Sequence, residues 1–179
     1  MGDPKKPKNK YERPKMPWNK QDIIQRNELC KKYGLKNKKE LWIAEAFLRR
    51  KRKVARELLA LPLEQRLERQ RELIDSLVRI GLLKKDSTLN DVLALTVEDI
   101  LERRLQTLVW RKGLARTPKQ ARQLVVHGHI AIGSKKVSVP GYIVRKDEEN
   151  QIKFAKPAME GKIKGIAATA KTQKGGSNE

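Results

Sequence analysis

This chain has little that could be oxidised, bind a metal or act as an acid–base catalyst. A single cysteine, Cys30, excludes a disulfide framework and any zinc site built on paired cysteines of the chain. Two histidines, His127 and His129, are too few for most metal or histidine-based catalytic sites. No cofactor is expected. Aromatic residues make up 4% of the chain, which argues against reading single strands by successive base stacking. No apolar run approaches the roughly 18 residues of a membrane span. The basic N-terminus is not followed by the apolar stretch of a secretory signal, so no membrane contact is expected.

Acid is the other shortage. In 179 residues, 42 Lys and Arg face 21 Asp and Glu, a net charge of +21. Such a charge repels itself strongly unless a polyanion neutralises it. The imbalance is local. Residues 1–20 carry seven basic and two acidic side chains, and residues 31–56 carry eleven and two. Residues 57–102 reverse the sign with six and ten. Residues 103–146 then carry eleven basic side chains and no acid, where even spreading would place about five. A face that needs only solubility mixes both signs. A surface that tracks phosphates excludes acids.

Punctuation in the sequence predicts an α+β protein. Pro4, Pro7, Pro14 and Pro17 prevent a long helix over residues 1–20, an extended basic arm that cannot build a core alone. Tyr11 and Trp18 either stack on bases or pack on the body, and packing is favoured. Residues 21–102 read as a helical domain. A short helix over 20–33, with Ile23, Ile24 and Leu29 apolar, ends at Gly34. Asn37 and Glu40 suggest a capping box for a helix running to Leu59, with Leu41, Ala44, Leu48, Ala55, Leu58 and Leu59 on its apolar side. Pro62 opens another helix from its first turn, with Leu63, Leu67, Ile74, Leu77 and Val78 inward and Gly81 closing it. A helical turn is expected at 88–95. Thr96 and Asp99 then cap a helix that runs on to Gly113.

Arg49, Arg50, Lys51, Arg52 and Lys53 run consecutively and so point all round their helix. Some must approach its apolar side and snorkel. Phosphates nearby would favour so dense a run, and RNA contact is the preferred reading over plain solvation.

The window from residue 103 to 156 reads as a small second domain. Helical spacing places Arg103, Arg104, Thr107 and Arg111 on one flank opposite Ile100, Leu101, Leu105 and Leu108. Thr117, Pro118 and Gln120 combine an N-cap, a first-turn proline and a box residue. Ala121, Leu124 and Val125 face a core, while Lys119 and Arg122 share another side. The turn at Arg116 and Thr117 offers helix N–H groups as a second anion site. Ile130 and Ile132 alternate as a strand, Gly133 and Ser134 turn, and strands at 137–144 and 152–154 follow. His127 and His129 flank Gly128 and are either RNA contacts or ordinary helix-end histidines. Residues 157–179 read as a flexible tail.

Arg103–Val109, Gly113–Ala115 and Thr117–Ile130 follow the pattern R-L-x-x-L-V … A-R-x-x-V-x-H-G-H-I and resemble the S-four RNA-binding domain. The arm Arg13–Trp18, the stretch from Leu29 to Leu35 with Lys32, Tyr33 and Gly34, and the Glu40–Arg56 helix are similar to the archaeal and eukaryotic branch of the small-subunit ribosomal S-four family. That resemblance covers nearly the whole chain. It implies a non-enzymatic, cytoplasmic ribosomal protein and primary binder of small-subunit ribosomal RNA. It also implies organisation of a multi-helix junction, neighbours among the small-subunit proteins (the third and fifth), and a place by the channel where messenger RNA enters, with an effect on decoding accuracy. RNA contacts are expected at Arg49 to Lys53, Arg103, Arg104, Thr107, Arg111, Lys112, Arg116, Thr117, Lys119, Gln120, Arg122, His127, His129, Lys135 and Lys136. The chain departs from some bacterial members in lacking a Cys-rich zinc site, and in reading Gly133-Ser134-Lys135-Lys136 and Pro140-Gly141-Tyr142 at its turns. An RNA-modifying enzyme or a DNA-binding regulator carrying the same module is the alternative. The former would need a catalytic domain, and no nucleophile–base pair or phosphate loop is present for one.

Overall fold

The computed structural model describes Gly2, Lys5 and residues 9–156; the expected tail and the rest of residues 1–8 lie outside the described residues. Helix α1 (Lys20–Lys32) begins at Asn19, whose side chain accepts from the Gln21 N–H at 3.2 Å. It buries no residue: Ile24 is exposed, and Leu29 and Cys30 only edge the core. Gly34, at φ +61°, takes the left-handed geometry that ends it.

Helix α2 (Lys38–Leu59) is the spine of the first domain and buries Leu41, Ala44, Ala46, Leu48, Ala55 and Leu58. Leu59 is exposed. The capping box does not form: Asn37 makes no side-chain cap, and the Glu40 carboxylate turns instead to two arginines. Helix α3 (Leu63–Ile80) starts one residue later than Pro62 suggests, and Pro62 itself is the extended N-cap. It buries Leu73, Ile74 and Leu77, whereas Leu63 and Leu67 are exposed beside the α2–α3 turn, an end the core does not reach. Helices α4 (Leu89–Ala94) and α5 (Val97–Glu102) both open with capping boxes, Thr88 with Asp91 and Thr96 with Asp99.

One expected helix is two. Instead of continuing through Glu102, the chain breaks at Arg103 and Arg104, and α6 (Leu105–Arg111) starts afresh. The cause is long-range. The Leu105 N–H donates to the Tyr142 carbonyl at 2.8 Å and the Gln106 N–H to the Pro140 carbonyl at 3.3 Å. At the other side of the break, the Thr107 hydroxyl donates to the Leu101 carbonyl at 2.7 Å. These bonds satisfy the groups a helix break orphans.

Helix α7 (Pro118–Val126) follows a short turn and packs on α6. The sheet contains β1 (Ile130–Ile132), β2 (Lys135–Lys136) and β3 (Ile152–Phe154) in the order β2-β1-β3, all antiparallel, with Ile130 opposite Phe154 and Ile132 opposite Ile152. Residues 142–144 are not a strand; only an isolated bridge joins Ile143 to Arg104. Their backbone is used on the α6 end, where the Val144 N–H also donates to the Arg103 carbonyl at 3.0 Å. A short helix α8 (Lys146–Glu149), not expected from the sequence, leads into β3 and packs on α3.

Two cores result. Tyr33, α2, α3, α4 and α5 build the first, which ends at Leu101; α6, α7, β1, β3 and Val144 build the second, which begins at Leu105. The helical break therefore lies between them and carries Arg103 and Arg104.

Candidate nucleic-acid interface

The window without acids in sequence is not without acids in space. Arg104 is buried at 5% exposure and donates to Glu40 of α2 at 2.6 Å. Arg122 of α7 forks onto the same carboxylate at 2.8 and 3.1 Å. Burial alone would raise the Glu40 carboxyl, but the hydrogen bonds and charges of Arg122 and Arg104 outweigh it and hold it below the usual range. Arg103 pairs with Glu149 at 2.7 Å, and Arg111 forks onto Glu102 at 2.7 and 3.1 Å. Thr107 is buried on its bond to Leu101. Arg103, Arg104, Thr107 and Arg111 thus do not form one solvent flank, because the helical phase that would align them is lost at the break.

A buried glutamine shares the seam. The Gln106 side-chain amide donates to the carbonyls of Tyr33, Gly34 and Pro118 at 3.0–3.1 Å. Its oxygen faces the Arg122 guanidinium at 3.4 Å. Gly34 fits closely here: a Cβ would lie 2.8 Å from that of Pro118. Local sequence pattern does not single out Gln106. Its only signal was a polar residue in the middle of an apolar stripe.

The other basic positions keep their charge outward. Among the described residues, Lys112, Arg116, Lys119, Lys135, Lys136, Arg145 and Lys146 have no carboxylate partner, and all but Lys112 make no side-chain hydrogen bond to the protein. Lys112 reaches the Glu149 carbonyl. Lys135 and Lys136 occupy the edge strand β2, both exposed. Lysines there also discourage edge-to-edge pairing. At the α7 start, Thr117 accepts from the Gln120 N–H at 3.2 Å, and the Gln120 side chain accepts from the Arg116 N–H at 2.8 Å. With Pro118 lacking an N–H, that helix end has little left for an anion beyond its cations. His127 and His129 stack at 6.2 Å between ring centroids around Gly128, at φ +69°.

The five-residue run on α2 divides as its geometry requires. Lys51 is half-buried against Ser76, with desolvation lowering its pKa, and Arg52 donates to the Leu95 carbonyl at 2.5 Å. Lys53 pairs along the helix with Glu57. Arg49 pairs with Glu12 of the arm, and Arg50 is exposed without an ion pair among the described residues. Tyr11 stacks on Trp42 at 6.0 Å, so part of the arm lies on α2. Trp18 does not pack as expected: it is 90% exposed.

Among the described residues no group of three or more His, Cys, Asp or Glu could hold a metal ion, and no helix is long and apolar enough to cross a membrane. A helical domain bearing a compact cationic module, with four of its arginines held by carboxylates, is the architecture of a structural RNA-binding protein. Residues 103–150 match the S4 domain, and residues 4–102 match the N-terminal domain of ribosomal proteins S4/S9. The chain is 55% identical to small ribosomal subunit protein uS4 of Ignicoccus hospitalis over 87% of its own length and 93% of that protein. It is 54% and 52% identical to the uS4 proteins of Saccharolobus islandicus and Metallosphaera sedula, over 86% of both chains in each case. The chain belongs to the ribosomal protein S4 family. It is a structural protein of that archaeal type rather than an enzyme.

Proposed function

We propose that this protein is a primary binder of small-subunit ribosomal RNA in the cytoplasmic ribosome and that it braces a multi-helix junction during assembly. One observation carries the reading. The module's seven cations without carboxylate partners among the described residues face outward, while each of its four paired arginines is matched by an acid from outside the window. A rigid array of such cations reads the backbone shape of folded RNA, since A-form helices hide their base edges in a deep groove. Lys112, Arg116, Lys119, Lys135 and Lys136 are the foremost phosphate contacts, with His127, His129 and Arg50 at their margins. Arg103, Arg104, Arg111 and Arg122 act chiefly by holding the array in shape. Contact with the third and fifth small-subunit proteins, and with messenger RNA where it enters the subunit, completes the role that the family likeness supports.

Affinity for a transcribed ribosomal junction, for transfer RNA and for duplex DNA, each measured at several salt concentrations, tests this. The junction should bind tightest, with a steep salt dependence. Lys119→Ala and Lys135→Ala should each flatten the slope by about one phosphate contact. Equal affinity for duplex DNA would overturn the reading.

A further inference from the structure

Residues 13–18 of the arm are carried between two fixed points. On one side Tyr11 stacks on Trp42 of α2, the Lys39 ammonium lies 5.8 Å from the centre of the same tyrosine ring, and Glu12 pairs with Arg49. On the other, Pro17 and Trp18 form a turn that leads directly into the Asn19 N-cap of α1. Pro17 fixes its own φ, and the cap fixes the residue after Trp18. Trp18 is therefore held against a helix start rather than on a loose end, and it is still 90% exposed. Met16 beside it is 73% exposed.

Single exposed leucines are ordinary, but tryptophan is on average a well-buried residue. The flanking charges narrow what covers it. From Arg13 to Gln21 the chain carries Arg13, Lys15 and Lys20 and no acid. All three are exposed, and none has a carboxylate partner among the described residues. A flat π surface flanked by unpaired cations matches the two repeating parts of a polynucleotide, base and phosphate. We propose that Trp18 is a stacking platform for one unpaired nucleobase of the bound small-subunit ribosomal RNA, with Arg13, Lys15 and Lys20 on the phosphates to either side. This rests on the ribosomal RNA reading above and adds a contact from outside residues 103–146. A lone platform agrees with the low aromatic content. It takes no run of bases, only one nucleotide splayed from a junction. Charge decides between occupants. An apolar pocket on a neighbouring protein would cover the indole but leave three cations unanswered. A nucleotide and its phosphates answer all of them.

The test uses the full chain and small-subunit ribosomal RNA transcribed from the same organism. Substitution at so exposed a position should leave the melting temperature at the parent's. Trp18→Ala should bind about tenfold more weakly, with an unchanged salt slope because no phosphate contact is lost. Trp18→Phe keeps a ring and should restore most of the affinity. Trp18→Leu keeps apolar bulk without a π face and should not. Lys15→Ala should instead flatten the slope by about one phosphate contact. Fluorescence adds a readout that a structural role would not move. The emission present in the parent and missing from Trp18→Phe should be that of a water-exposed indole, and RNA should quench it through the stacked base. Parent-like affinity in Trp18→Ala, full rescue by Trp18→Leu, or Trp18 emission unquenched in the complex would each overturn the proposal. So would a Trp18→Ala chain that binds the RNA normally but no longer recruits a neighbouring small-subunit protein. A parent chain that does not bind this RNA at all would overturn the broader reading, and this contact with it.

Discussion

Removing the carboxylate of Glu40 should loosen the joint between the two domains more than its single charge suggests. Glu40 stands 17% exposed on α2 and receives three hydrogen bonds, at 2.6, 2.8 and 3.1 Å, from Arg104 and Arg122. Those side chains are 6% and 22% exposed. Glu40→Ala would strand both guanidinium groups in the seam. Breaking a buried pair from one side costs about 3–5 kcal/mol. Arg122 can turn partly to water, so about 3 kcal/mol is expected, or roughly 6–12 °C of melting temperature for a chain of this size. Glu40→Gln keeps an acceptor and should cost less, about 2 kcal/mol. The pH dependence has a definite sign. The folded carboxyl is held below its ordinary range, so its stabilising contribution is complete above the unfolded value, near pH 4.3, and is lost as pH falls through the folded value. The gap between parent and Glu40→Gln should therefore be constant from about pH 7 to 5 and close in stronger acid. Urea unfolding followed by circular dichroism, repeated across that range, measures it. Replacing Glu40, Arg104 and Arg122 together by Met or Leu should recover much of the loss, because no orphaned charge remains. A Glu40→Ala loss below about 0.5 kcal/mol, the scale of a surface change, would refute the reasoning.

Gln106→Leu should cost about 1–3 kcal/mol, since three backbone carbonyls lose their donor in a buried seam; urea unfolding checks it. Gly34→Ala combines a φ of +61° with a Cβ 2.8 Å from Pro118 and should destabilise by about 2 kcal/mol or more, visible as a lower melting temperature.

Local chemistry was legible where it was local. The caps at Thr96 and Thr117, the glycine ends at Gly34, Gly81 and Gly128, and the inward positions of Ala121, Leu124 and Val125 follow from spacing alone. The misreadings share one cause. Glu40 had the right spacing for a cap, but two arginines, 64 and 82 residues away, offered its carboxylate stronger partners. The helix through residue 102 looked continuous because its apolar phase runs on. Carbonyls from residues 140 and 142 make the break favourable, and periodicity carries no sign of them. Thr107 looked like a surface residue for the same reason. Leu63 and Leu67 have a helical stripe with nothing opposite it among the described residues. A pattern reports which face could be buried, not whether a partner arrives.

The division of labour between arginine and lysine follows from this arrangement. Between residues 103 and 146 every ion-paired cation is an arginine: Arg103, Arg104, Arg111 and Arg122. All five lysines of the window lack a carboxylate partner among the described residues. A planar, weakly hydrated fork suits a desolvated carboxylate, whereas a strongly hydrated ammonium on a flexible stem suits an outer surface. The acids that hold the arginines come from α2, α5 and α8, all outside the window. Each is spent on an arginine, Glu40 from a largely buried position and Glu102 and Glu149 with about a third of the side chain exposed (35% and 33%). An acid-free stretch of sequence is thus half of a device. The other half is the set of carboxylates outside it that lock four of its arginines and leave the lysines, with Arg116 and Arg145, outermost, an arrangement that a charge count over the window cannot distinguish from eleven equivalent contacts.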